Sequence, residues 1–266
     1  MLETFVKLRE ELEKKKPVVH VYGNPVTSND CANALLAVGA SPIMAESPYE
    51  AKEITLNADV LVLNLGVPSP EKLKAMLISA EVAQKKGIPI IFDPVGAGSS
   101  EFRRKASKEI LKTAIPCVIR GNLSEILSLS DTDIQQYGID NGISETVAEI
   151  LSVAKDLAER TNSVIVVSGK NDVITDAIKS YVIENGVEKM KKVTGAGCML
   201  SAIIGAFLSV SEPLEASALA TSVFGYCGEM ASVYCHGSGS LRTGIIDELS
   251  NLKNIDNENA FKIMTI

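Results

Sequence analysis

The chain has 266 residues, is 46% hydrophobic and carries a net charge of −7. That length fits a single α/β domain over residues 1–266, with a core large enough to stand without disulfides. The acidic balance excludes a basic nucleic-acid surface and a polybasic membrane anchor, so any phosphate must be held locally, by backbone amides and a few cations.

The first segment, MLETFVKLREELEKKK, has the charged, amphipathic pattern of a surface helix and lacks the apolar core of a signal peptide. No apolar run is long enough for a membrane span. None of the five cysteines (31, 117, 198, 227 and 235) pairs with another at C-x-x-C spacing. The expectation is a cytoplasmic protein with reduced thiols, several of them buried. Cys235-His236 invites a zinc reading, but His20 is the one other histidine, so a four-ligand site is not expected.

Short β-branched apolar runs recur along the chain: PVVHVYG (17–23), DVLVLNLG (59–66), IPIIFDPVG (88–96), CVIRGN (117–122) and NSVIVVSGK (162–170). Successive apolar residues mark strands buried on both faces. Between them lie helical patterns such as PEKLKAMLISAEVAQKKG, ending on a C-cap glycine. This alternation predicts a mostly parallel sheet with helices on both faces. The rhythm changes over 172–193, where Asn185-Gly186 lies between two strand-like runs and predicts a hairpin at one sheet edge. Long helical stretches follow at 201–210 and 215–234, and the tail 254–266 reads as a surface helix.

In such a sheet, ligands gather at the C-terminal ends of the parallel strands. Those ends carry Gly23-Asn24, Gly66, Asp93-Pro94, Arg120-Gly121-Asn122 and Ser168-Gly169-Lys170. The segment VTGAGCML (193–200) adds an anion-binding turn: Gly195 and Gly197 permit close approach around Ala196, and a helix follows. No P-loop lysine accompanies it. Cys198 falls in the first helical turn, where it is either a small buried residue or a group beside a substrate alcohol. Asp93 suits Mg²⁺ or a turn, and Glu125 suits a metal neighbourhood or a capping box with Asn122. Lys170 and Asp172 read as surface residues without a role.

VTGAGC resembles the signature of the hydroxyethylthiazole kinase family, within the ribokinase-like superfamily. ANALLAVGASPIM (32–44), FDPVGAG (92–98), IRGNLSEI (119–126) and VSGKNDVI (167–174) resemble further blocks of that family, in the same order. The resemblance implies a three-layer ribokinase-like fold and an ATP- and Mg²⁺-dependent kinase that phosphorylates the hydroxyl of hydroxyethylthiazole in thiamine salvage. It implies Cys198 as the group at the alcohol, Asn24, Met44 and Gly195 as substrate contacts, and Gly195, Ala196 and Gly197 as the phosphate turn. It implies Arg120 and Ser168 as ATP ligands, with Asp93 and Glu125 at the metal. It also implies a homotrimer whose sites combine Asn24 and Met44 of one chain with Cys198 of a neighbour. Gly23 stands where the family usually has threonine, and GSGSLRTG (237–244) loses a proline and a phenylalanine of the family's late block. Other readings are a related kinase for hydroxymethylpyrimidine or a sugar, a non-catalytic nucleotide-binding regulator, and a thiol enzyme.

Overall fold

The computed structural model describes residues 1–130 and 146–266. The helices are α1 (Leu2–Lys15), α2 (Ser28–Ala37), α3 (Ala51–Leu56), α4 (Pro70–Lys86), α5 (Glu101–Thr113), α6 (Leu123–Leu129), α7 (Val147–Thr161), α8 (Ala196–Leu208), α9 (Pro213–Tyr234) and α10 (Ser238–Leu249). The strands are β1 (Val18–Tyr22), β2 (Ser41–Ile43), β3 (Val60–Asn64), β4 (Ile90–Asp93), β5 (Val118–Asn122), β6 (Val164–Ser168), β7 (Asp172–Thr175), β8 (Ser180–Ile183) and β9 (Ile263–Thr265).

The strands form one sheet in the order β2-β1-β3-β4-β5-β6-β7-β8-β9. From β2 to β6 every pairing is parallel; β7, β8 and β9 are antiparallel. Two apolar cores flank the sheet. Val60 and Val62 of β3 face the core shared with α1, α2, α8, α9 and α10, while Leu61 and Leu63 face the one shared with α4, α5, α6 and α7. Alternate residues of a fully buried strand thus serve opposite layers, which is why the run reads as apolar throughout.

Local chemistry sets the helix ends. In α4, Ser69 accepts a hydrogen bond from the Lys72 amide, Pro70 opens the first turn, and Gly87 closes the helix at φ 69°. Asn122 and Glu125 cap α6 reciprocally. The tilt of chemistry toward one end of the sheet follows from its topology. The chain leaves β1 for β2 through α2 on one face, and leaves β3 for β4 through α4 on the other. The loops after β1 and β3 therefore part at a topological switch point.

Two expectations about the edge need correction. The antiparallel pair exists, but its turn is Asp176–Lys179, not Asn185-Gly186. Asp176 accepts from the amides of Ile178 and Lys179, and Ala177 takes φ 77°. Asn185 instead leads out of β8 and is held by side-chain bonds. Its Oδ1 accepts from Ser222 (2.6 Å) and the Lys262 amide (2.9 Å), and its Nδ2 donates to the Ala260 carbonyl (3.0 Å). The tail is likewise no surface helix. After two 3₁₀ turns, Leu252–Asn254 and Glu258–Ala260, Ile263–Thr265 pairs with β8 and covers its edge. Asn185→Ala should destabilise the fold by about 2–3 kcal/mol, since it leaves buried partners unpaired. An unchanged denaturant midpoint would show that the tail is held some other way.

Candidate active site

The switch point brings strand-end residues together with the first turn of α8. α8 packs on β1, β3 and β4. Its N-cap, Gly195, has φ 83°, and a Cβ there would collide with Thr27. Gly197 lies under the guanidinium of Arg120 and leaves no room for a Cβ either. The Ala196 amide reaches back to the Val193 carbonyl at 3.3 Å. Amides of the first turn beyond it have no acceptor within the helix, and the helix dipole makes this end attractive to an anion.

Cys198 sits at this end, partly buried. Asn24 Nδ2 lies 3.7 Å from its Sγ and is placed to donate to it. Burial and the charge of Asp93 push the thiol's pKa up, while Asn64 and Arg120 work the other way. At neutral pH the group is therefore predominantly a thiol, despite its place at a helix N-terminus. Met44 follows β2 directly, and its Cε lies 3.1 Å from where a Cβ on Gly23 would be. The glycine admits the thioether beside Asn24. The expectation that Asn24 of one chain meets Cys198 of another is overturned: β1 and α8 of one chain already bring the two together.

Asp93 is fully buried at the end of β4. Its Oδ2 accepts from Ser201 Oγ (2.7 Å) and Asn64 Nδ2 (2.9 Å), and Arg120 Nη1 lies 3.8 Å away. Burial pushes its carboxyl up to about 6, against the pull of Arg120. Its Oδ1 is buried without a hydrogen-bond partner. A buried carboxylate oxygen without a donor suits a cation or a cation's water. Glu125 spans two strand-end loops, accepting from the amides of Gly96 (2.8 Å) and Asn122 (2.9 Å). Among the described residues no cluster of three or more acidic, His or Cys side chains forms a metal cage. The arrangement fits Mg²⁺, which binds through one or two carboxylates and completes its shell with water and phosphate.

On the far side of Arg120 and Gly197 opens a cavity of about 630 Å³, lined by Arg120, Ser168, Asp172, Asn185, Leu200 and Phe224 among others. Its size and its mixed apolar and polar lining suit a nucleotide. Arg120 donates to Ser168 Oγ through Nε (3.1 Å) and Nη2 (2.8 Å), so the two expected ATP ligands meet. Cys198, Asn24 and Met44 do not line this cavity. Ala196 and Gly197 do line it, and Cys198 is the next residue of the same turn.

Several residues of the site escaped the sequence. Asp172 lines the cavity and accepts from the Gly169 amide at 2.9 Å, so its surface assignment is corrected. Arg103 donates to the carbonyls of Leu65 (2.8 Å) and Val95 (2.6 Å), joining the loops after β3 and β4. Asn64 bonds both Asp93 and the Gly66 amide. The strand-end rule missed Asn64, the last residue of β3, because the apolar run reads on through Leu65 to Gly66; nothing local marks Arg103.

Comparison with known proteins shows the family. The model of the hydroxyethylthiazole kinase family matches residues 9–255. Hydroxyethylthiazole kinase 1 of Methanosphaera stadtmanae is 40% identical, over 94% of this chain and 93% of its own. Hydroxyethylthiazole kinase 2 of Clostridium botulinum (strain Kyoto / Type A2) is 38% identical, over 93% and 95%. The structure of a hydroxyethylthiazole kinase protein from Pyrococcus horikoshii OT3 superposes with a TM-score of 0.88 at 33% identity, over 99% of both chains. With the family model spanning most of its length and the parallel sheet, edge strands and glycine turn all in place, the chain belongs to the hydroxyethylthiazole kinase family.

Proposed function

We propose that this protein transfers the γ-phosphoryl group of ATP to the primary hydroxyl of 4-methyl-5-(2-hydroxyethyl)thiazole, giving the thiazole monophosphate and ADP in thiamine salvage. The observation that carries this reading is that Cys198, beside Asn24, directly follows the turn whose Ala196 and Gly197 line a nucleotide-sized cavity. The names of the relatives point to the same substrate.

In this reading the thiazole packs beside Met44, whose thioether suits a soft aromatic ring. Asn24 and the backbone at Gly195 direct the hydroxyethyl arm toward Cys198. Arg120 and Ser168 hold the phosphates of ATP, and the first-turn amides of α8 receive the charge of the group in flight. Asp93 and Glu125 would hold Mg²⁺, which neutralises charge on the β- and γ-phosphates when bound. The alcohol oxygen forms a bond to the γ-phosphorus as the bond to the ADP oxygen breaks. Cys198 positions the hydroxyl, and in its minor thiolate form takes the alcohol proton late, as the new P–O bond forms. So scarce a base suffices, because a loose phosphoryl transition state asks for alignment and charge neutralisation more than for a strong base.

A homotrimer and a cytoplasmic location follow from the family resemblance. Each chain then carries its own pair of Asn24 and Cys198, and neighbouring chains add walls to the pocket.

A coupled assay of ADP release, with ATP and Mg²⁺, tests the substrate. Release should depend on the thiazole alcohol and not on hydroxymethylpyrimidine or ribose. Equal stimulation by hydroxymethylpyrimidine would replace the thiazole reading with the pyrimidine one. Cys198→Ala should lower kcat by about 10²-fold, the scale of a lost proton-transfer group, with the KM for ATP little changed. Iodoacetamide should label Cys198 slowly at pH 7, and the rate should rise steeply above pH 9, because the raised pKa keeps the thiolate scarce. Rapid labelling at neutral pH would contradict a raised thiol pKa.

A further inference from the structure

Lys72 lies in the first turn of α4, yet only 5% of its surface is exposed. Lysine is seldom buried so completely, because an ammonium out of water is costly unless it is fully partnered. Its Nζ donates to the Gly23 carbonyl and to the Gly66 carbonyl (3.1 Å), and lies 3.3 Å from Glu46 Oε1. An ammonium has three N–H donors and here meets three oxygens. Each of its donors is thus engaged by the protein, which rules out a direct role on phosphate or substrate.

The three oxygens belong to three different loops. Gly23 follows β1 and precedes Asn24. Glu46 follows β2, two residues beyond Met44. Gly66 follows β3, two residues beyond Asn64. These loops touch. A Cβ on Gly66 would lie 2.7 Å from Asn24 Nδ2 and 2.8 Å from Asn64 Oδ1. From below, the buried His20 ring joins in, its Nε2 donating to the Ala45 carbonyl at 2.8 Å. The loops after β1 and β3 run to opposite faces of the sheet, so the strands alone do not hold them together. A fixed positive charge among their oxygens does.

We propose that Lys72 is a positioning residue of the acceptor site: its ammonium ties the loops after β1, β2 and β3 into one wall that holds Asn24 and Met44 in place for the alcohol. The proposal rests on reading that wall as the alcohol site. The nucleotide cavity is lined by other residues, so the effect should fall on one substrate.

Lys72→Met keeps the chain length and removes the charge and donors. It should raise the KM for the thiazole alcohol about tenfold or more, the scale of a lost charged hydrogen-bond partner. The KM for ATP should stay within about twofold, and Lys72→Arg should recover part of the loss. Hydrogen exchange followed by mass spectrometry should show faster exchange in 21–28, 43–48 and 63–69, and no change in 165–172 or 195–201. An unchanged alcohol KM, both KM values rising together, or exchange quickening throughout the chain would overturn the proposal. If Lys72→Met fails to fold, Glu46→Gln takes its place, with a smaller rise in the same KM and the same pattern of exchange; no rise overturns the proposal. If the wild type proves inactive on the thiazole, the functional reading falls, and the exchange pattern still decides whether Lys72 ties the loops.

Discussion

Ser201, in the second turn of α8, donates a 2.7 Å hydrogen bond to Asp93 at the end of β4. The rest of the site hangs from that contact. It fixes the rotation and height of α8 over the sheet, and so the direction in which the first-turn amides point. With α8 so placed, Gly195 meets Thr27 and Gly197 meets Arg120 with no room for a side chain. Cys198 then falls beside Asn24. The same contact holds Asp93 in a buried position that raises its pKa, a cost offset by Ser201, Asn64 and Arg120. A carboxylate kept at this junction has one oxygen for the fold and one without a protein partner.

The chain's overall charge and its phosphate chemistry oppose each other, and the fold resolves this locally. With a net charge of −7, the surface as a whole does not attract ATP. Side chains alone do not make the cavity positive, since Arg120, Lys170 and Lys191 share its lining with Asp172, Glu184 and Glu188. Backbone amides and a helix dipole bring partial positive charge without adding side chains. On the acceptor side another cation, Lys72, meets protein oxygens alone. Arg120 and Lys72 illustrate different uses of positive charge: Arg120 faces the ligand cavity, and Lys72 fastens loops.

Much of this was legible in the sequence, for physical reasons. The buried parallel strands announce themselves because both faces are apolar, as in VLVLN of β3. The α4 ends are readable because Ser69, Pro70 and Gly87 each answer a local backbone need. The strand-end rule and the glycine turn located Asp93, Arg120, Ser168 and Cys198, which the fold gathers at one end of the sheet. What stayed hidden depends on partners far away in the chain. Lys72 looks like any lysine on a charged helix, and its burial follows from the loops after β1 and β3 closing over it. Asn185-Gly186 carries a hairpin signal, but bonds from Ser222 and Lys262 claim the asparagine. KIMTI alternates too briefly to read as a strand until β8 offers an edge.

On the mechanism proposed, the γ-phosphoryl group passes over the first-turn amides of α8 directly to an alcohol beside Cys198. The most direct measurement is a crystal structure with the thiazole alcohol, Mg²⁺ and a non-hydrolysable ATP analogue bound together. The γ-phosphate should rest on the amides at Gly195–Gly197, with the hydroxyl about 3.5 Å from the γ-phosphorus and next to Cys198. A thiazole bound away from Met44 and Asn24, or a γ-phosphate directed away from the α8 turn, would contradict the account.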